Sequence, residues 1–159
     1  MNNLLKLPPL SLYIHYPWCI KKCPYCDFNS HEGEIQSGYI NALLSDLDDD
    51  LKYVQNRKIN SIFIGGGTPS LMNINDLNDL FNGLSNRLVF SHDIEITMEA
   101  NPGTFEIDKF SEFRNVGVNR LSIGVQSFDD NQLKFLGRIH SAKEAKNAVI
   151  KAQKVGFDN

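Results

Sequence analysis

Four times along the chain a short apolar run is followed by a longer stretch whose apolar residues recur at helical spacing. No other feature restricts the fold so tightly. "LSLYIH" (10–15) reads as a first strand, and Ile40, Leu43, Leu44, Leu47, Leu51 and Val54 then mark a helix over 39–54. Asp46, Asp48, Asp49 and Asp50 fill most of that helix's other face, as a solvated face would. "SIFIG" (61–65) is a second strand, followed by a helix around 75–87. "DIEITME" (93–99) is a third, with a helix near 106–115, and "NRLSIGVQ" (119–126) is a fourth. Asp129 and Gln132 have the spacing of a helix start, and Ser141 and Glu144 repeat it. Behind the latter, Ala145, Ala148, Val149, Ala152 and Val155 form the expected buried stripe, with Gly156 as the stop.

Strand–helix repeats of this kind specify a parallel α/β architecture. Right-handed crossovers place the C-terminal end of every strand on one rim, where α/β folds bind their ligands. The loops expected at that rim carry the unusual chemistry of the chain. They hold all the cysteines, then Gly65-Gly66-Gly67-Thr68-Pro69, Glu99-Ala100-Asn101-Pro102 and Gln126-Ser127-Phe128. "FDN" (157–159) looks like the approach to a fifth strand. An unpaired parallel edge is an aggregation liability, so the expectation is a piece of a longer fold.

Composition bounds the setting. The 159 residues carry a net charge of −3, without the basic excess of a general nucleic-acid binder. "MNNLLKLPPLSL" is broken by Pro8-Pro9 and lacks a small-residue cleavage site, so no secretory leader is expected. No apolar run approaches the roughly 18 residues of a membrane span. Three cysteines in one loop are not a disulfide framework, which points to a reducing, cytoplasmic setting.

Those cysteines, Cys19, Cys23 and Cys26, stand in "CIKKCPYCDF" (19–28) with Cys-x-x-x-Cys-x-x-Cys spacing. Three clustered thiolates can ligate zinc or an iron–sulfur cluster. Zinc needs a fourth ligand, for which His15 and His31 are candidates, but structural zinc sites use two short knuckles and the chain has one. Three cysteines leave one iron of a [4Fe–4S] cluster open to a substrate or cofactor.

The loop resembles the signature of the radical S-adenosylmethionine (SAM) superfamily, in which SAM chelates the open iron. An electron from the reduced cluster then cleaves SAM to methionine and a 5′-deoxyadenosyl radical. "YIHYPWCIKKCPYCDF", "GGGTPS", "EANPG", "GVQSF" and "LGRIH" occur in order from about Leu10 onward. Together they resemble the subfamily of oxygen-independent coproporphyrinogen III oxidase and its relative, the radical SAM heme chaperone. The resemblance implies a partial (βα)6 barrel with about four βα units, residues 1–159 forming the N-terminal portion of a radical SAM core domain.

It also implies roles for particular residues. Cys19, Cys23 and Cys26 would ligate the cluster, and Tyr25 would sit beside the SAM adenine. Gly66, Gly67 and Thr68 would meet the methionine amino group, since glycine backbone permits close approach and its carbonyls accept from an ammonium. A phosphate loop would instead end in Gly-Lys-Ser/Thr, which is missing here. Glu99 would contact the ribose or methionine end, Gln126 the ribose, and Arg138 the SAM carboxylate through its planar fork of donors. Tyr13 matches a further SAM-contacting position and reads equally well as a core tyrosine. His15 and His31 are open as a fourth ligand or heme contact, and the resemblance gives the histidine before the Pro a structural role. Lys21 and Lys22 read as solvent-exposed, or as an approach for an acidic reductant such as flavodoxin.

The oxidases carry a further cysteine where this chain has Phe28, and a longer segment before the first strand. Both departures point to a chaperone that binds heme and delivers it to respiratory proteins. The alternative is oxidative decarboxylation of coproporphyrinogen III to protoporphyrinogen IX.

Overall fold

The computed structural model describes residues 7–159. Residues 1–6, on which the expectation about a leader partly rests, lie outside that range. Strand β1 (Leu10–Tyr16) runs into a two-residue strand β2 (Trp18–Cys19), which pairs in parallel with β3 (His31–Glu32). Helix α1 (Tyr39–Val54) leads to β4 (Ile59–Gly66), a 3₁₀ turn at Pro69–Leu71 and α2 (Ile74–Ser85). Then come β5 (Phe90–Ala100), two short helices α3 (Thr104–Asp108) and α4 (Phe110–Val116), β6 (Arg120–Ile123), α5 (Asp130–Phe135) and α6 (Ala142–Lys154).

The main sheet has the order β1-β4-β5-β6, every pair parallel, so each crossover advances one strand. That is the wall of the expected barrel. Its register sorts the side chains by face. Ile14, Ile64, Met98 and Leu121 lie in one row, while Tyr13, Phe63, Thr97 and Arg120 lie in the next. The first row points at the helices, where Ile14, Ile64 and Met98 are buried with Leu77, Leu80, Phe110, Phe113 and Ala148. The second row carries the hydroxyls and charges of the opposite, lumen face. Strands that alternate in this way can be buried on one side only.

Five sequence expectations shift. The helix near 106–115 is two helices, interrupted at Lys109. There the backbone tightens to a Lys109 N–H bond to Glu106 O (3.1 Å), and the Lys109 ammonium caps the Leu71 and Met72 carbonyls. The fourth strand stops at Ile123 rather than 126, because successive tight turns (Val125 N–H to Ile123 O, Ser127 N–H to Val125 O) carry the chain off the sheet. The third strand is longer than expected, at 90–100. Val149 is 39% exposed and falls outside the buried stripe that Ala145, Ala148 and Ala152 form. Asp129 caps α5 through the N–H groups of Asn131 and Gln132, but the Gln132 side chain turns to the Ser127 hydroxyl instead of closing a box. At α6 the box is complete: Ser141 Oγ accepts from Glu144 N–H, and Glu144 accepts from Ser141 N–H.

The acidic face of α1 is exposed as expected, with Asp48 forked onto Arg87 (2.6 and 2.9 Å). At the other end, Asn159 O accepts from Leu121 N–H (3.2 Å), so "FDN" runs beside the edge of β6.

The rim is fastened by glycine. After β4, Gly67 N–H donates to Tyr16 O (2.6 Å) and Thr68 N–H to Trp18 O (2.8 Å). Gly66 reaches this path at φ +118°, a conformation side chains disfavour. At Gly67 a Cβ would lie 2.6 Å from Trp18 O and 2.8 Å from Pro17 C and O. Those atoms are backbone and cannot swing aside. Gly67→Ala should therefore destabilise the protein by about 1–3 kcal/mol, the usual cost of overpacking, read as a lowered urea midpoint. An unchanged midpoint would show that the rim is not packed as described.

Candidate functional site

The cysteine loop is tied down at several points. Trp18 is buried between Tyr16 and Tyr39, with ring centroids 5.3 and 4.4 Å away, and Tyr39 Oη donates to His15 O (2.7 Å). Cys19, at the end of β2, is itself buried. Pro24 sits second in a turn closed by Cys26 N–H to Cys23 O (3.0 Å), a position its fixed φ suits. Lys22, expected to be exposed, instead folds back on its own loop. Its ammonium donates to Phe28 O and Ser30 O (both 3.1 Å), and its N–H donates to Glu32 Oε1 (2.8 Å). Lys21 remains exposed. All three thiols are free.

Cys19, Cys23, Cys26, Tyr25, Gly66, Gly67, Thr68, Glu99, Gln126 and Arg138 line one cavity of about 220 Å³ at the rim. Tyr13 does not. It lies on the lumen face of β1, more than half exposed, with its ring stacked on Phe63 and its hydroxyl bonded to His15 Nδ1 (3.1 Å). Tyr13 is not packed in the core, because on the lumen face it stays more than half exposed. Both nitrogens of His15 are engaged, since Nε2 donates to Asn29 O (2.8 Å). His15 is thus a brace for the far end of the cysteine loop, while His31 is exposed on β3. Among the described residues no three His, Cys, Asp or Glu side chains converge as ligands of a single metal ion.

The other walls are built from charges. Glu99, half-buried at the end of β5, accepts from Gly66 N–H through Oε2 (3.1 Å), and burial holds its carboxyl above the ordinary 4.5. Arg138 donates through Nη1 to Cys23 Sγ (3.3 Å) and through Nη2 to Asn101 Oδ1 (2.6 Å) and Gly124 O (3.0 Å). Its Nε is buried without a partner. Burial raises the Tyr25 hydroxyl, and a hydrogen bond with the Cys23 side chain adds to the shift. Gln126 hangs from a turn at φ +63°, fixed from behind by buried His140, whose Nε2 donates to Val125 O (3.0 Å). Burial keeps that imidazole below its usual pKa. Phe28, 65% exposed, lines the mouth.

Asn101 was named in sequence only as part of a loop, yet it joins two walls of the cavity. Its Nδ2 donates to Thr68 Oγ1 (3.1 Å) and its Oδ1 accepts from Arg138. The available signal was its place two residues after Glu99, on the same side of an extended chain.

Soft sulfur donors on one wall thus face a carboxylate, glycine backbone and a guanidinium on the others. This set can seat a ligand bearing both an ammonium and a carboxylate beside a thiolate-held group. The sequence profile of the radical SAM superfamily matches residues 13–159. The chain belongs to the radical SAM superfamily. It is 56% identical over 157 residues to the protein named heme chaperone HemW of Escherichia coli (strain K12), covering 97% of this chain and 42% of that protein. It is 52% identical to the protein of the same name from Haemophilus influenzae, over 96% of this chain and 42% of that one. The structure of coproporphyrinogen III oxidase (HemN) from Escherichia coli, described as a radical SAM enzyme, superposes with a TM-score of 0.79 at 30% identity. It covers 94% of this chain and 35% of that one. The chain spans about two fifths of the length of the curated relatives it matches.

The half-buried Glu99 gives this radical SAM cavity a pH dependence. Burial raises the Glu99 pKa, so the contribution of this one carboxyl to stability is fully present below about 4.5 and is lost as the pH rises through the raised folded value. Glu99→Gln keeps an acceptor for Gly66 N–H and removes the buried charge. It should raise the urea midpoint at pH 7, with the gain narrowing as the pH falls toward 4.5. A gain independent of pH would contradict burial as the cause.

Proposed function

We propose that the chain is the cluster-bearing part of a heme chaperone of the radical SAM superfamily. The observation that carries this reading is the 56% identity to the Escherichia coli heme chaperone over 97% of the chain, against 30% to the oxidase structure. Phe28 supports it: the loop offers an aromatic ring at the cavity mouth where the oxidase pattern has a fourth cysteine.

The residues fit the implied groups. Cys19, Cys23 and Cys26 would hold a [4Fe–4S] cluster, for which three thiols lining one cavity supply three of the four iron ligands. Bound there, the cluster supplies a single electron and an iron free to take SAM. Glu99 and the Gly66–Gly67 backbone then suit the ammonium or ribose of SAM, and Arg138 suits its carboxylate. Gln126 and Tyr25 line the same space. Heme is the proposed cargo, respiratory proteins its recipients, and a flavodoxin-like protein the reductant. Exposed Lys21 gives the reductant a positive point of approach.

The second reading, oxidative decarboxylation of coproporphyrinogen III, rests on the fold shared with the oxidase. Anaerobic assays of the full-length, cluster-loaded protein separate the two. The chaperone reading expects stable heme binding and no protoporphyrinogen from coproporphyrinogen, SAM and reductant. Robust turnover would overturn it. Cys23→Ala should abolish the cluster's visible absorption, and survival of that absorption would refute its assignment as a ligand.

A further inference from the structure

Two of the three cysteines are joined to each other by side chains from three different rim loops. Arg138 Nη1 donates to Cys23 Sγ (3.3 Å), and Arg138 Nη2 donates to Asn101 Oδ1 (2.6 Å). Asn101 Nδ2 donates to Thr68 Oγ1 (3.1 Å), and Thr68 Oγ1 donates to Cys19 Sγ (3.6 Å). The chemistry of the members dictates the direction of every link. A guanidinium can only donate, so it must face the amide oxygen of Asn101. The amide nitrogen then faces Thr68, whose hydroxyl accepts it and has its single hydrogen left for Cys19. Both ends of the chain therefore deliver a hydrogen to sulfur. The Cys19 end is sealed, with Thr68 and Cys19 both buried.

We propose that Asn101 is a positioning residue, the clasp that sets Cys19 and Cys23 relative to one another before any cluster binds. It does so through Thr68 on one side and Arg138 on the other. A carboxylate in its place could still receive Arg138 but could not donate to Thr68. The Thr68 hydroxyl would then turn to the carboxylate and leave Cys19. Asparagine alone among residues of that length satisfies both neighbours. Partners one shell out from a metal site typically govern how tightly it is held, and the clasp does this for two ligands at once. The inference deepens the cluster reading above and rests on it only in the cluster-loaded arm of the test.

The first arm uses the reduced, cluster-free full-length protein and follows alkylation of each cysteine by iodoacetamide with mass spectrometry. Thr68→Val and Asn101→Asp should each speed modification of Cys19 several-fold and leave Cys23 near the parent rate. Asn101→Ala should speed both, and Thr68→Ser should restore the parent pattern. Cys19 rates unchanged in Thr68→Val, or equal in Thr68→Val and Thr68→Ser, would overturn the clasp, and that pair decides it even if the Asn101 variants fail to fold. The second arm measures loss of iron from the reconstituted protein to a chelator. Thr68→Val should lose it about tenfold faster than Thr68→Ser, with an altered electron paramagnetic resonance spectrum of the reduced cluster. Parent protein that takes up no iron and sulfide would overturn the cluster reading, leaving the alkylation pattern to decide the clasp.

Discussion

Two backbone hydrogen bonds, Gly67 N–H to Tyr16 O and Thr68 N–H to Trp18 O, seat the cysteine strand on the glycine loop of its neighbour. Everything at the rim depends on that seating. β1 and β4 are adjacent in the sheet, so the bonds continue their pairing past its formal edge. The path is open only because Gly66 accepts a left-handed φ and Gly67 has no Cβ. With Trp18 fixed, Cys19 is buried at a set height, and the turn carrying Cys23 and Cys26 projects over the cavity.

The same seating organises charge. The lumen face offers few apolar groups at this level, so the half-buried Glu99 and the guanidinium of Arg138 take their order from backbone and amide partners rather than from each other. Arg138 has an orphaned Nε and a thiol as partner, an arrangement that structural stability alone does not require. Polar groups held in this way, by neighbours already fixed in place, are what pre-organised ligand sites consist of.

Much of this was legible in the residues. "SIFIG" and "DIEITME" were legible as strands, and Ser141 with Glu144 marked the start of α6 to the residue. The cysteine spacing, GGGTP and EANPG led to the cavity walls because each stands at a strand's end or just beyond one, while LGRIH brings Arg138 in from the loop after α5. What escaped depends on partners distant in sequence. The break at Lys109 is made by carbonyls of the loop after β4. The early end of β6 comes from turns that no apolar pattern encodes. The contacts of Tyr13, with Phe63 on the neighbouring strand and His15 on its own, were not readable from its place in the motif. Asn101 has no meaning until Thr68 and Arg138 stand on either side of it.

On the proposed reading Cys19, Cys23 and Cys26 hold a [4Fe–4S] cluster with one iron open to SAM. The most direct measurement is the electron paramagnetic resonance spectrum of the reduced, reconstituted full-length protein, recorded with and without SAM. The expected result is a [4Fe–4S]+ signal whose g-values move when SAM is added. A protein that binds zinc without iron and sulfide, or a cluster signal that SAM leaves unchanged, would contradict it.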